Sequence, residues 1–399
     1  MAEVLPFLTL NDVTLDNRVI LIREDFNVPI QDGEIMNDAR IRAAIPGIKQ
    51  ALAAKARIIL MSHLGRPTAG VSEDKLSLAP VAKRLSELLS QEVRLEPNWP
   101  TTVDVGPGEI VLLENVRFLV GETKNELVLA KQMAAICDVF VMDAFGSAHR
   151  AHASTTGVAE YSKIAVAGPL LVKEVQALGQ VLSFPEKPIV AIIGGAKVST
   201  KLKVLEFLLP KIDKLIVGGG MANTFIAAKG LPIGDSLFEE DLITDAKIIM
   251  DKAKIQQVEL LLPTDVVVAK EVSETAIGEQ RSVYEVKPQE KILDIGEQTI
   301  EIYRQALMSA KTILWNGPVG VAEIPAFAKG TNNLAKAVAN STAFSVAGGG
   351  DTLAAIDKAN IAKDISYIST GGGAFLEYLE GRTLPAIAAL STKENTSVV

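Results

Sequence analysis

Cysteine is nearly absent from this sequence. Cys137 is the only one in 399 residues, which excludes an intramolecular disulfide framework and fits a reducing compartment. It lies in an apolar stretch just ahead of a strand-like run, which predicts a packed thiol rather than a nucleophile. Long hydrophobic runs are also missing. Mean hydropathy is +0.26, yet segments such as Val111-Leu112-Leu113 and Leu260-Leu261-Leu262 fall far short of the roughly 18–20 apolar residues of a spanning helix. They read as buried strands. Met1 to Leu10 has no basic n-region and carries Glu3, so no secretory signal is expected and a cytoplasmic location follows. The three histidines, His63, His149 and His152, show neither HExxH spacing nor companion cysteines, which argues against a histidine zinc site. Positive charge is not in excess: the net charge of −8 removes the electrostatic case for nucleic acid or acidic membranes, but leaves room for a local anion pocket. There is no Walker loop, and Gly194-Gly-Ala-Lys-Val-Ser-Thr-Lys201 only echoes one. Gly218-Gly-Gly-Met-Ala-Asn223 lacks the last glycine of a dinucleotide fingerprint, and protein-kinase signatures are absent.

What is present is a chain long enough for two domains, with 48% hydrophobic and 22% charged residues. Its rhythm is a short apolar run, a polar or glycine-rich turn, then a helical stretch such as Ala79 to Ser90 or Asn125 to Ile136. Continuous apolar strands alternating with helices predict parallel sheets covered on both faces. In the first half the runs Arg18–Arg23, Arg57–Met61, Ile110–Glu114 and Val139–Met142 are followed by Asp25, Asn27, His63, Arg66, Arg117, His149 and Arg150. In the second half, Ile189–Ile193, Lys214–Val217, Thr312–Trp315, Phe344–Ala347 and Ile365–Ile368 lead into glycines and lysines. Two α/β domains binding different parts of one reaction are expected, divided near Gly168-Pro169 and linked by a helix from Leu170 to Leu182.

In open parallel sheets ligands sit beyond the carboxyl ends of the strands. Arginines recurring there, with Arg40 from the stretch Asn37–Arg40, suit a small polyanion, because guanidinium forks match phosphate and carboxylate. Gly348-Gly-Gly-Asp-Thr352 leaves a strand and opens the helical run Leu353 to Lys358, a geometry that aims backbone N–H groups at phosphate. Asp351 is then either an N-cap or a magnesium ligand. Lys197 and Lys201 stand four apart, so at helical spacing they share a face. The residues alone reach a phosphotransferase with an anion pocket and a separate phosphate site.

Eight segments then resemble, in order, those of phosphoglycerate kinases: Asp25–Pro29, Ser62–Pro67, Glu114–Phe118, Asp143–His152, Gly194–Lys197, Gly218–Met221, Trp315–Gly320 and Gly348–Thr352. The match runs from about residue 10 to 385. The resemblance implies two Rossmann-like domains, each a parallel sheet covered by helices, joined by an interdomain helix and hinge. It implies a 3-phosphoglycerate-binding domain over 1–169, a helix over 170–184, a nucleotide-binding domain over 185–380, and a tail over 381–399 returning to the first domain. It implies substrate contacts from Asp25, Phe26, Asn27, Arg40, His63, Leu64, Gly65, Arg66, Arg117 and Arg150. Nucleotide contacts would come from Lys201, Glu323 at the ribose, Gly349, Gly350, Asp351 and Thr352, with Mg²⁺ on Asp351. The expected reaction is reversible transfer between 1,3-bisphosphoglycerate and ADP by a monomer, in line and after domain closure. Arg40, Lys197 and Lys201 would stabilise the moving phosphoryl group. Two departures stand out: Glu24 replaces a common Val, and Ala322 a common Phe beside Glu323. Neither removes an implied functional group. A nicotinamide dehydrogenase and a non-catalytic binding protein on the same fold are the competing readings; the missing fingerprint opposes the first, and intact Arg40, Lys197, Lys201 and Asp351 oppose the second.

Overall fold

The computed structural model describes residues 5–99 and 102–393. Expectations that fall on residues 1–4 and beyond 393 lie outside the described residues. Two compact units are formed: one runs to Gln176 and resumes at Thr383, and the other is Ala177–Arg382. The division falls inside the helix Pro169–Leu182.

The first unit is built on six parallel strands in the order Val93–Glu96, Ile110–Leu113, Arg57–Met61, Val19–Arg23, Val139–Met142, Ile164–Ala167. Side chains alternate across a strand, so Ile20 and Ile22, Ile58 and Leu60, Ile110 and Leu112, Val139 and Val141, and Ile164 and Val166 share one face. That face packs on Ile41, Ala44, Ile48 and Ala51 of helix Ala39–Ala53 and on Val81 and Leu85 of helix Ala79–Leu89. The opposite face, including Leu21, Ile59, Val111 and Phe140, is buried as well. The strands therefore carry apolar residues at nearly every position, which is why they read as continuous runs. Helix Ala79–Leu89 begins with a proline in its first turn and ends at Ser90 in the left-handed region, φ +53°. The C-terminal helix Pro385–Ser391 also belongs to this unit: Ala386 N donates to Ala148 O at 3.1 Å, and Ala386, Ile387, Ala389 and Leu390 are buried.

The second unit repeats the plan with the order Glu259–Leu261, Lys214–Val217, Ile189–Ile193, Thr312–Asn316, Phe344–Gly348, Tyr367–Ser369. Numbered along the chain this is 3-2-1-4-5-6, the dinucleotide-fold arrangement; the first unit, also six-stranded, runs 3-4-2-1-5-6, with Ile110–Leu113 inserted between Val93–Glu96 and Arg57–Met61. One face carries Val190, Ile192, Ile216, Ile313 and Trp315 against Tyr303, Leu307, Leu334 and Val338 of two covering helices. Leu260 and Leu261 do not lie in a buried strand as expected, because Glu259–Leu261 is the sheet edge and is half-exposed. A small antiparallel sheet, Glu279–Ser282, Asp265–Ala269 and Lys291–Ile295, was not foreseen. Cys137 is a packed thiol, and burial pushes its pKa up to about 12.

Candidate active site

In each unit the chain reverses its direction of travel across the sheet between two adjacent central strands, and the loops beyond them diverge to leave a crevice. In the first unit these strands are Val19–Arg23 and Val139–Met142. Asp25 follows the first. Its carboxylate accepts from Arg40 Nη1 (3.2 Å) and from Asn27 N (3.1 Å), while Arg40 Nη1 also donates to Asn27 O at 3.0 Å. Asn27 Oδ1 accepts from Gly65 N at 2.9 Å, tying this loop to the one beyond Arg57–Met61. Arg117 Nη1 donates to Gly65 O and so adds the loop beyond Ile110–Leu113. Phe26 and Leu64 are buried in the apolar core of this unit.

His63 is buried beneath this arrangement, with Nδ1 3.3 Å from Arg23 Nη2. Burial first, then Arg23, Arg117, Arg150 and Arg40, hold its pKa well below the usual imidazole range, leaving the ring neutral. The same forces bring Arg117 down to about 10: burial leads, Arg150, Arg23 and Arg66 add repulsion, and Glu122 opposes them. The structure thus gathers Arg40, Arg117 and Arg150 around one histidine, with Arg66 beside Arg117. It adds Arg23, which the sequence reading counted only as a strand end. Arg23 is 1% exposed; its Nε donates to Ser154 Oγ at 3.0 Å and its Nη1 to Glu24 O. Glu122, also missed, is buried behind it and accepts from Ser154 N (2.9 Å) and Oγ (2.6 Å). His152 Nδ1 lies 3.6 Å from Glu122, but burial and then Arg117, Arg23 and Arg150 lower its pKa to about 4, so this contact is not an ion pair near pH 7. Arg150 Nε donates to His149 Nε2 at 3.2 Å. Cations outnumber the carboxylates available to them, and a bound polyanion would relieve the repulsion.

The reversal in the second unit lies between Ile189–Ile193 and Thr312–Asn316. The turns beyond these strands approach so closely that a Cβ on Gly194 would sit 1.9 Å from Pro318 O. Lys201 inserts beneath them, its Nζ donating to Gly194 O (2.6 Å) and Asn316 O (3.1 Å). Burial lowers its pKa to about 8, with Asp351 pulling the other way. Lys197 and Lys201 do not share a helix face. The helix starts only at Leu202, and Lys197 is exposed in the loop before it, where Thr200 Oγ1 donates to Lys197 O and Lys201 N to Val198 O. Nor is Asp351 an N-cap. Gly349, at φ +99°, occupies that position of helix Gly350–Ala359, leaving Asp351 exposed in the first turn. Thr352 is buried, its Oγ1 accepting from Gly317 N at 2.7 Å.

Alongside these turns lies a cavity of about 560 Å³. Gly195, Gly219, Val319, Leu237, Glu323 and Asp351 line it, together with strand Lys291–Ile295 of the unforeseen antiparallel sheet. It combines apolar walls for a flat ring with carboxylates at its margin. Among the described residues no group of three or more His, Cys, Asp or Glu is arranged to hold a metal ion. Asp351 alone fits magnesium, which commonly takes one or two carboxylates and completes its shell with substrate phosphates and water.

The sequence profile described as phosphoglycerate kinase matches residues 10–382. A phosphoglycerate kinase of Legionella pneumophila (strain Corby) is 56% identical over 384 residues, covering 96% of this chain and 97% of that protein. A solved phosphoglycerate kinase from Coxiella burnetii superposes with a TM-score of 0.94 at 53% identity, covering 97% and 99% of the two chains. One from Pyrococcus horikoshii OT3 gives 0.79 at 33% identity, over 96% and 98%. With matches spanning almost its whole length, the chain belongs to the phosphoglycerate kinase family, the glycolytic kinases that exchange a phosphoryl group between 1,3-bisphosphoglycerate and ADP.

Proposed function

We propose that the arginine crevice of the first unit holds phosphoglycerate and that the glycine-lined cavity of the second holds ADP or ATP. The observation that carries this division is the gathering of Arg40, Arg117 and Arg150 around a neutral His63 at one sheet end, with Arg66 beside Arg117. Guanidinium groups bind carboxylate and phosphate as bidentate forks, and four such charges in one crevice need a ligand with more than one negative group. Asp25, Asn27 and Gly65 shape the crevice, with Phe26 and Leu64 contributing backbone. Residues up to 169 and the chain beyond 380 form the phosphoglycerate domain in this reading, 170–184 the connecting helix, and 185–380 the nucleotide domain.

An acyl phosphate is already activated, so the protein supplies neither nucleophile nor strong base. It aligns the ADP oxygen with the phosphorus and stabilises the charge of the moving group. Arg40 comes from one unit, Lys197 and Lys201 from the other. Gly349 and Gly350 offer backbone N–H groups to the nucleotide phosphates, Thr352 holds their turn in shape, and Glu323 takes the ribose hydroxyls. Magnesium held by Asp351 and the phosphates would neutralise part of the nucleotide charge. Since the groups divide between units, turnover requires a hinge closure that also excludes water from the acyl phosphate. We place the enzyme in the cytoplasm as a monomer; among the described residues no helix is long and apolar enough to cross a membrane. A coupled assay of ATP-dependent 1,3-bisphosphoglycerate formation from 3-phosphoglycerate tests the assignment. Loss of activity on replacing Arg40 or Lys201, with the fold intact, is expected; unchanged rates in both would refute it.

A further inference from the structure

Glu24, at the crevice floor and 1% exposed, is the one buried acidic residue among the described residues with no hydrogen-bond partner for either carboxylate oxygen. Strand register sets it beside Asp143. Arg23 pairs with Met142, Asp143 N donates to Arg23 O at 2.9 Å, and each carboxylate follows directly on its strand. Asp143 is 2% exposed, and its Oδ1 accepts from Leu170 N (2.7 Å) and Leu171 N (3.0 Å), holding the first turn of helix Pro169–Leu182. Two ionised carboxylates cannot sit side by side without solvent or donors. We propose that Glu24 and Asp143 share one proton at neutral pH, and that losing it on alkalinisation adds a second negative charge to the crevice floor and weakens anion binding there.

The surroundings support this division of charge. Around Glu24, Asp143 and Asp25 disfavour ionisation and Arg23 favours it, while burial outweighs all three and raises its pKa well above the usual range. Asp143 is raised to about 7 by burial, against its two backbone donors and Lys173 on the helix; Glu174, also buried, lies on the same helix. A proton on Glu24 would give an O–H donor where neither of its oxygens otherwise has a partner. Arg23 is the route to the crevice, because its guanidinium touches both Glu24 O and the His63 ring.

Coupling to anion affinity rests on the crevice being the phosphoglycerate site, whereas the shared proton does not. Both are read by comparing wild type with Glu24→Gln, which keeps the shape and a permanent donor. Calorimetric unfolding at about pH 7 in buffers of different ionisation enthalpy should release about one more proton from wild type than from the variant. Titration with 3-phosphoglycerate from about pH 7 to about pH 10 should show the wild-type Kd rising several-fold relative to the variant. Equal proton release refutes the shared proton. A proton difference with parallel Kd profiles refutes the coupling to this crevice alone. Should Glu24→Gln not fold, the infrared carbonyl stretch of a protonated carboxylic acid in wild type decides, assigned by the loss or shift of the band in Glu24→Asp or Asp143→Asn; a wild-type spectrum without such a band near pH 7 overturns the proposal.

Discussion

Binding of ADP should take up a proton through Lys201. In the free protein, burial holds this amine near a pKa of about 8 while it donates to Gly194 O and Asn316 O. Phosphate oxygens arriving beside it favour the ammonium form and restore a pKa of about 10.5 or higher. The sign follows: around pH 8 the free enzyme holds about half a proton on Lys201 and the complex about one, so binding takes up about 0.5 proton, rising to about 0.9 near pH 9. Affinity should then fall about tenfold between low pH and pH 9, roughly 1.4 kcal/mol, and continue downward until the bound pKa is reached. Titration calorimetry of ADP in two buffers of contrasting ionisation enthalpy measures the uptake directly. Lys201→Arg keeps a permanent charge and subtracts any titration of the ligand itself. Zero uptake in wild type, or the same uptake in Lys201→Arg, would sink the argument that burial in this turn sets the charge state of the amine.

Three further outcomes are expected. Arg40→Ala should lower kcat by about 10²–10³-fold, or about 2.7–4 kcal/mol, with little change in KM, because its charge is needed most in the transition state; steady-state kinetics decide, and an effect confined to KM would contradict it. Arg117→Ala should mainly raise the KM for 3-phosphoglycerate, since this guanidinium is fixed by Gly65 O within the anion crevice. Gly194→Ala should destabilise the second unit by about 1–3 kcal/mol or more, as its Cβ meets the Pro318 carbonyl; urea unfolding followed by circular dichroism would show this, and an unchanged midpoint would refute the close approach.

The arginine crevice was legible because Arg66, Arg117 and Arg150 each come in the turn after an apolar run, and a parallel sheet brings all such ends together; Arg40, in the first turn of helix Ala39–Ala53, joins them from a polar stretch. Arg23 escaped notice because it closes a run and so looked like a strand residue, although its side chain is spent on Ser154, Glu24 and His63. Glu24 was passed over as a neutral departure, since burial is a tertiary property. The spacing of Lys197 and Lys201 suggested a helix that begins only after both. Ser199 is held in its turn by Glu239, with its N 2.9 Å and Oγ 2.5 Å from that carboxylate, and a partner 40 residues away leaves no trace in local periodicity. For Asp351, a neighbouring glycine with positive φ took the capping place that side-chain type alone had offered. The antiparallel sheet that supplies the cavity wall Lys291–Ile295 was hidden because its other edge strand, Glu279–Ser282, is short, polar and half-exposed, with none of the apolar alternation that marks a strand.

The helix Pro385–Ser391, docked on Ala148 and buried within the first unit, bears on how the chain is made. Synthesis proceeds from the N-terminus, and domains generally fold as they emerge. Here the first unit stays incomplete until Pro385–Ser391 has left the ribosome, whereas Ala177–Arg382 has every strand it needs before that. The half translated first is therefore the half finished last, and the surface awaiting Ile387 and Leu390 remains open to solvent, or to a chaperone, throughout the synthesis of the second unit.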